Sequence, residues 1–371
     1  MKIPQVQPWL VAAECDNVVE SLEAGWITEG VKSQAFVERL NVLVGVPHGA
    51  LAPNGTLALV LGLMAVGVGP GDEVLVPDIT FVGSATAVHM VGAMPVFVEV
   101  NATNFQIDVA AAAAALTPRT RAIMPVHLYG MCADMNAVMA FARRHRLKVI
   151  EDAAQAIGVS YHGRHAGSFG DVGCFSFFAD KTLTTGEGGY VATDDPEIFE
   201  NLRRLRNQGR LDRGSFIHPA MGYNFRITDM QAAVGLAQLD RLDDIIARKL
   251  AVFSRYRDAL HDVSQVQFLE VEAGSTYVPF RVVLLCQDLE GLIGHLERAG
   301  VQTRRFFYPM HRQPAFAFLD RRNGGRQDFD DRLFANAVHG HDHGLCLPVF
   351  PTMTPDQVAH VCTAVRDFYG A

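Results

Sequence analysis

Between residues 73 and 152 short apolar runs alternate with stretches of helical spacing, and no other feature of the chain narrows its fold as much. Runs at 73–77, 95–100, 121–126 and 148–152 predict strands, while 80–91 and 133–146 predict helices. Such alternation implies a mostly parallel, doubly wound α/β sheet, because parallel strands need a crossover long enough to hold a helix. Ligands of these sheets bind beyond the carboxyl ends of the strands. Phe81, His127, Asp152 and Gln155 follow those ends and are the first candidate site residues. Asp152 has two readings, a cap for the next helix or a partner for a bound cation. The glycine fingerprint of a dinucleotide site is missing after the first strand, and no P-loop is present.

A second stretch carries the chemistry. The aromatic run Phe175-Ser176-Phe177-Phe178 is followed by Asp180-Lys181, a threonine-rich segment, and Gly186-Glu187-Gly188-Gly189 before another apolar run at 190–193. An ammonium at the rim of a packed core loses hydration. That loss lowers its pKa and frees the amine as a nucleophile toward carbonyls. Upstream, Asn54, Gly55 and Thr56 precede a long apolar helical pattern at 57–66. Asn54 and Thr56 suit a helix cap, and the free N–H groups of a helix start also suit an anion.

Elsewhere, the first residues lead as an arm into an amphipathic helix, broken at Gly25-Trp26-Ile27-Thr28-Glu29-Gly30, where Trp26 is expected to plug the core. A helix is expected at 36–46, a basic helix at 196–208, and one long helix from the Thr228-Asp229 cap to about Leu260. Strands at 277–285 and 301–307 with helices at 289–300 and 354–369 complete a smaller α+β lobe. The expected division is a large body at 1–247, including the arm, and a small lobe at 248–371. His339, His341 and His343 are read as a solvated loop rather than a metal site, since no cysteine or carboxylate group completes a ligand set.

The net charge of −8 argues against a nucleic-acid partner, though local arginines can still bind a small anion. No uncharged run reaches the roughly 18 residues of a membrane span. No signal peptide is readable at the start. Six scattered cysteines without a CxxC pair read as reduced thiols of a cytoplasmic protein.

Several segments, taken in order, carry a resemblance. They are 25–30, Asn54-Gly55-Thr56, Val76-Pro77-Asp78-Ile79-Thr80-Phe81, Pro125-Val126-His127-Leu128-Tyr129-Gly130, Ile150-Glu151-Asp152-Ala153-Ala154-Gln155, 176–189 and Gly222-Tyr223-Asn224-Phe225-Arg226. The chain resembles the DegT/StrS-type sugar-nucleotide aminotransferases, pyridoxal-phosphate enzymes of the aspartate aminotransferase fold (fold type I), over almost its whole length. Within that family it is most similar to the GDP-perosamine synthase branch, which aminates C-4 of GDP-4-keto-6-deoxymannose in polysaccharide biosynthesis.

The resemblance implies roles residue by residue. Lys181 would form the Schiff base with pyridoxal 5'-phosphate and move the proton at the substrate carbon. Asp152 would keep the pyridine nitrogen protonated, Gln155 would lie near the 3' oxygen, and Phe81 would stack on the ring. Gly55, Thr56 and Ser176 would hold the phosphate, together with Asn224 from the other subunit of a homodimer with shared sites. L-glutamate would leave its nitrogen as pyridoxamine phosphate, releasing 2-oxoglutarate, and a nucleotide-linked keto sugar would receive it. Arg226, Arg304, Arg305, Tyr308 and His311 would read the sugar nucleotide. Two positions depart from the perosamine branch: Asp180 where it has Asn, and Tyr308 where it has His. They leave open a C-3 keto sugar or a cyclitol as acceptor. Lys181 argues against the family's dehydratases, in which histidine replaces it. With Asp152 and Gln155 it also argues against a silent, regulatory cofactor-binding protein.

Overall fold

The computed structural model describes residues 1–210, 214 and 216–371. In chain order the helices and strands are α1 (Ala12–Glu23), α2 (Val31–Val44), β1 (His48–Ala52), α3 (Gly55–Ala65), β2 (Glu73–Pro77), α4 (Gly83–Met90), β3 (Met94–Val98), α5 (Val109–Ala114), β4 (Thr120–Ile123), α6 (Met135–His145) and β5 (Lys148–Asp152). A hairpin of β6 (Ser160–Tyr161) and β7 (Arg164–His165) follows, then β8 (Val172–Ser176), β9 (Gly189–Thr193) and α7 (Pro196–Arg206). The rest comprises α8 (Asp229–Asp240), α9 (Leu242–Leu260), β10 (Val266–Phe268), β11 (Val282–Cys286), α10 (Leu289–Arg298), β12 (Arg304–Arg305), α11 (Ala335–His343), β13 (Gly344–Leu347) and α12 (Pro355–Tyr369).

The large sheet has the order β1-β9-β8-β5-β4-β2-β3. Pairing is parallel from β8 through β5, β4 and β2 to β3, while β9 runs antiparallel to both β8 and β1. This is the expected α/β architecture, a mostly parallel sheet beside a smaller one. Strands β2 and β9 are buried at every position, which is why they read as continuous apolar runs rather than alternating ones. Strand β1 was not anticipated, since His48–Ala52 holds only one large apolar residue; it is held by its pairing with β9.

The second sheet, β10-β11-β13-β12, is antiparallel and packs with α9, α10 and α12 around a separate apolar cluster that includes Val252, Tyr256, Leu284, Leu345 and Val361. Ile3 from the arm lies in that cluster and bridges to Val301.

Three local expectations need correction. The helix from Thr228 is two helices broken at Arg241, whose φ/ψ of −114°/9° is non-helical and whose guanidinium turns to Glu14 and the Trp9 carbonyl. Trp26 is not a core plug: it is 56% exposed, its indole N–H donating to the Glu29 carbonyl. The histidines 339, 341 and 343 lie on α11 rather than in a loop, with the His339 and His343 rings one turn apart and tilted, their centroids 4.3 Å from each other. No helix among the described residues is long and apolar enough to cross a membrane.

Candidate active site

Four segments that carry candidate residues converge with others on one cleft of about 620 Å³, within the ordinary range for a small-molecule site. They are the start of α3, the turn after β2 leading into α4, the end of β5, and the segment after β8. The sheet therefore delivers these residues where a doubly wound fold is expected to bind a ligand.

At the start of α3, Asn54 caps the helix by accepting from the Leu57 N–H at 2.9 Å. The N–H groups of Gly55 and Thr56 keep no partner among the described residues, and both residues line the cleft. Asn54 is thus a cap, and two donors at the helix N-terminus are left facing the cleft. Ser176, the last residue of β8, sits against this turn. A Cβ on Gly55 would lie 2.7 Å from the Ser176 Cβ, so the close approach requires glycine. Gly189 serves the same turn differently: a Cβ there would meet the Asn54 carbonyl at 2.4 Å. Its job is packing against the chain's own backbone rather than against a ligand.

The Asp152 carboxylate is almost fully buried at the end of β5. Its Oδ2 accepts from the Ser84 hydroxyl at 2.6 Å, which is itself 2.8 Å from the Thr80 hydroxyl, and its Oδ1 accepts from the Ala154 N–H at 3.1 Å. These donors fix the direction of the carboxylate. A buried anion without a cation partner is costly, so a positively charged group on the ligand would fit here. Gln155 is oriented by the Tyr129 N–H, which donates to its Oε1 at 2.8 Å, leaving the amide N–H₂ for the cleft. Phe81 is 55% exposed on the cleft wall, where it faces Phe307 with ring centroids 6.1 Å apart.

Lys181 follows β8, its turn closed by a bond from its N–H to the Phe178 carbonyl at 2.9 Å. The side-chain amine lies 4.3 Å from the centre of the Phe280 ring. Burial holds its pKa below the ordinary lysine range; Asp180 and Asp152 oppose this and Arg281 adds to it. The site therefore places a nucleophilic amine, a fixed carboxylate, an anion cradle and an apolar wall around one space.

Some sequence-derived candidates lie elsewhere. His127 is fully buried and paired with Glu151 at 2.8 Å, and Glu151 also accepts three backbone N–H groups from 167–170. It holds a loop rather than a ligand. His311 does not face the cleft: both ring nitrogens are engaged, by Asp78 at 2.6 Å and Asp331 at 2.9 Å, and the ring stacks on Phe334. Tyr308 is outside the cleft wall, edge-on to His341, whereas its neighbour Phe307 lines the wall. Arg226 bonds to Asn207 at 2.9 Å, and Asn224 is exposed; neither lines the cleft of its own chain. Arg304 does line the cleft, with no ion pair among the described residues, and Arg305 lines it while paired with Glu290.

Ser84, Tyr129, Phe280, Arg281 and Phe307 are cleft residues the sequence reading passed over. One signal was available, since Arg281 is a lone charge in an apolar run, and a buried arginine needs a partner. That partner is Asp180, at 2.5 Å from its Nη2.

With this geometry, likenesses to other proteins carry weight. The model of the DegT/DnrJ/EryC1/StrS aminotransferase family matches residues 9–366. The chain belongs to this family. It is 38% identical to a GDP-perosamine synthase of Caulobacter vibrioides, over 98% of this chain and 97% of that one. It is 39% identical to a UDP-N-acetyl-3-dehydro-alpha-D-glucosamine 3-aminotransferase of Acidithiobacillus ferrooxidans, over 91% and 88%. The PLP form of a sugar aminotransferase from Streptococcus pneumoniae superposes with a TM-score of 0.92 at 27% identity, covering 100% of this chain and 99% of that one. As a DegT/DnrJ/EryC1/StrS protein the chain has the fold of the PLP-dependent aminotransferases.

Proposed function

We propose that this sugar aminotransferase moves nitrogen from L-glutamate to C-4 of a nucleotide-linked 4-keto-6-deoxyhexose, in the manner of a perosamine synthase. Pyridoxal phosphate is its cofactor. When bound, the cofactor supplies the electron sink on which carbon–nitrogen exchange depends. The observation that carries the reading is the meeting of Lys181, Asp152 and the α3 anion cradle in one cleft.

In this proposal the chain's own groups divide the work. The Gly55 and Thr56 N–H groups and the Ser176 hydroxyl bind the cofactor phosphate. Asp152, oriented by Ser84 and the Ala154 N–H, would hold a proton on the ring nitrogen. Gln155 donates toward the 3' oxygen, and Phe81 covers the ring face and excludes water. Lys181 carries the cofactor covalently. Its amine, which burial biases toward the neutral form, would take the proton from the donor's α-carbon, and the ammonium form reached by such a transfer would return a proton at the sugar's C-4. Arg304, with no carboxylate partner among the described residues, is available to the glutamate carboxylates or the nucleotide diphosphate at the mouth. Asn224, exposed and away from its own cleft, reaches the phosphate of a partner subunit, so the active form is a homodimer.

The likeness to a 3-aminotransferase favours C-3 amination as the second reading. Asp180 does not separate the two, since Arg281 occupies its carboxylate, and Tyr308 lies off the wall. Phe307 and Arg304 are the cleft residues placed to do so. Turnover of GDP- and dTDP-4-keto-6-deoxyhexose with glutamate, with the product nitrogen located by NMR, tests the proposal. Nitrogen at C-4 supports it; nitrogen at C-3, or no product from any 4-keto sugar, refutes it.

A further inference from the structure

Against the Lys181 turn, between it and residues of the arm, α8 and α9, lies a second cavity of about 20 Å³, enough for one water. Asp180, Lys181, Thr182 and Lys249 line it. Lys249 sits in α9 and is 3% exposed, a rare position for lysine. Its ammonium has three donors, yet among the described residues it makes one hydrogen bond, to the Thr182 hydroxyl at 3.0 Å. Asp180 shows the complementary lack. Its Oδ2 accepts from Arg281, while its Oδ1 is buried without a partner. Buried polar groups of this kind are ordinarily satisfied, and a water in the shared cavity satisfies both.

Thr182 directly follows Lys181 and Asp180 directly precedes it, so both neighbours of the reactive lysine are tied to this cavity. We propose that Lys249 is a positioning residue for Lys181: bonded to Thr182 and bridged to Asp180 through a water in the cavity, it clamps the turn and shares the Asp180 carboxylate with Lys181. The inference rests on Lys181 being the cofactor-bearing lysine. The titratable groups that act on Lys249 are Asp180 and Lys181 on the turn and Arg281 before β11. The arm residues 6–9, Gln238 of α8 and residues 349–351, which close the cavity, carry no titratable group. Burial first, then Arg281, holds the Lys249 amine down at about 7, with Asp180 opposing and Lys181 adding to the depression. Two amines and a guanidinium gather around Asp180, with Asp152 acting on Lys181 alone from the cleft side, and they cannot all stay charged cheaply.

The chain has five lysines, so each can be followed separately. Trace acetylation of cofactor-free protein across a pH series, read peptide by peptide by mass spectrometry, gives the titration midpoint of Lys181. Lys249→Met should raise that midpoint by about one unit, a tenfold loss of free amine at neutral pH, and Lys249→Arg should return it close to the parent value. If Lys249→Met does not fold, Lys249→Gln takes its place, since it can keep a bond to Thr182 without the charge. An unchanged midpoint in the neutral variant, or an arginine variant that behaves like it, overturns the proposal. Failure of the underlying reading looks different: Lys181→Ala would then keep the absorbance band of the cofactor–lysine link, whatever Lys249 does.

Discussion

Arg281 offers a sharp energetic test of how the lysine turn is held. Its side chain is 5% exposed and that of Asp180 15%. It donates to Asp180 at 2.5 Å and to Gln5 at 2.6 Å, and its guanidinium carbon lies 4.4 Å from the Phe280 ring centre. Arg281→Met keeps most of the apolar stem but takes from Asp180 its arginine partner. Removing one member of a buried pair typically costs about 3–5 kcal/mol, because the surviving charge stays buried and unpaired. With roughly 2.1 cal/mol/K of unfolding entropy per residue, about 4 kcal/mol in a chain of 371 residues lowers the melting temperature by about 5 °C. Differential scanning calorimetry of cofactor-free protein reads this directly. The double variant Asp180→Asn/Arg281→Met should recover part of the loss, giving a coupling of about 1–3 kcal/mol. A single variant that melts within about 1 °C of the parent, or two losses that simply add, would refute the account of this pair.

Ser84→Ala removes a charge-assisted bond to Asp152 worth about 1.5–3 kcal/mol, so kcat/KM should fall about tenfold to a hundredfold with the fold intact by circular dichroism; parent-level activity would remove Ser84 from the account. Gly189→Ala forces a Cβ against the Asn54 carbonyl and should weaken cofactor affinity measured by absorbance titration, while unchanged affinity would mean that the turn adjusts freely. Lys249 gives a pH signature. Its folded pKa, about 7, lies below the ordinary value of 10.5, so between these values the unfolded chain binds more protons and stability should rise with pH. Lys249→Met should flatten that rise in urea titrations at pH 7 to 10, and equal slopes in both proteins would contradict the depressed pKa.

The large sheet was legible because buried parallel strands are written as unbroken apolar runs with helical spacing between them. Strand β1 was hidden, its sequence too small and polar to signal a strand without β9 beside it. The residues ending strands, Asp152 and Ser176, and the turn at Gly55 could be placed from sequence because the fold dictates where strand ends point. The wall could not. Phe307 and Tyr308 differ by one position, and which of them meets the cleft depends on how the segment after β12 packs on Tyr129. His127 and His311 looked available only because their carboxylate partners, Glu151 and Asp78, are distant in sequence. Trp26 misled for a similar reason, since a large aromatic beside glycines is apolar by composition whether or not the fold covers it.

The central claim is that one lysine of five carries the cofactor. Loading the protein with pyridoxal phosphate, reducing it with borohydride and mapping the phosphopyridoxyl group by peptide mass spectrometry tests this most directly. The account predicts the label on Lys181, and its loss when glutamate is added before reduction. A label on Lys2, Lys32, Lys148 or Lys249, or no label on any lysine, would contradict it.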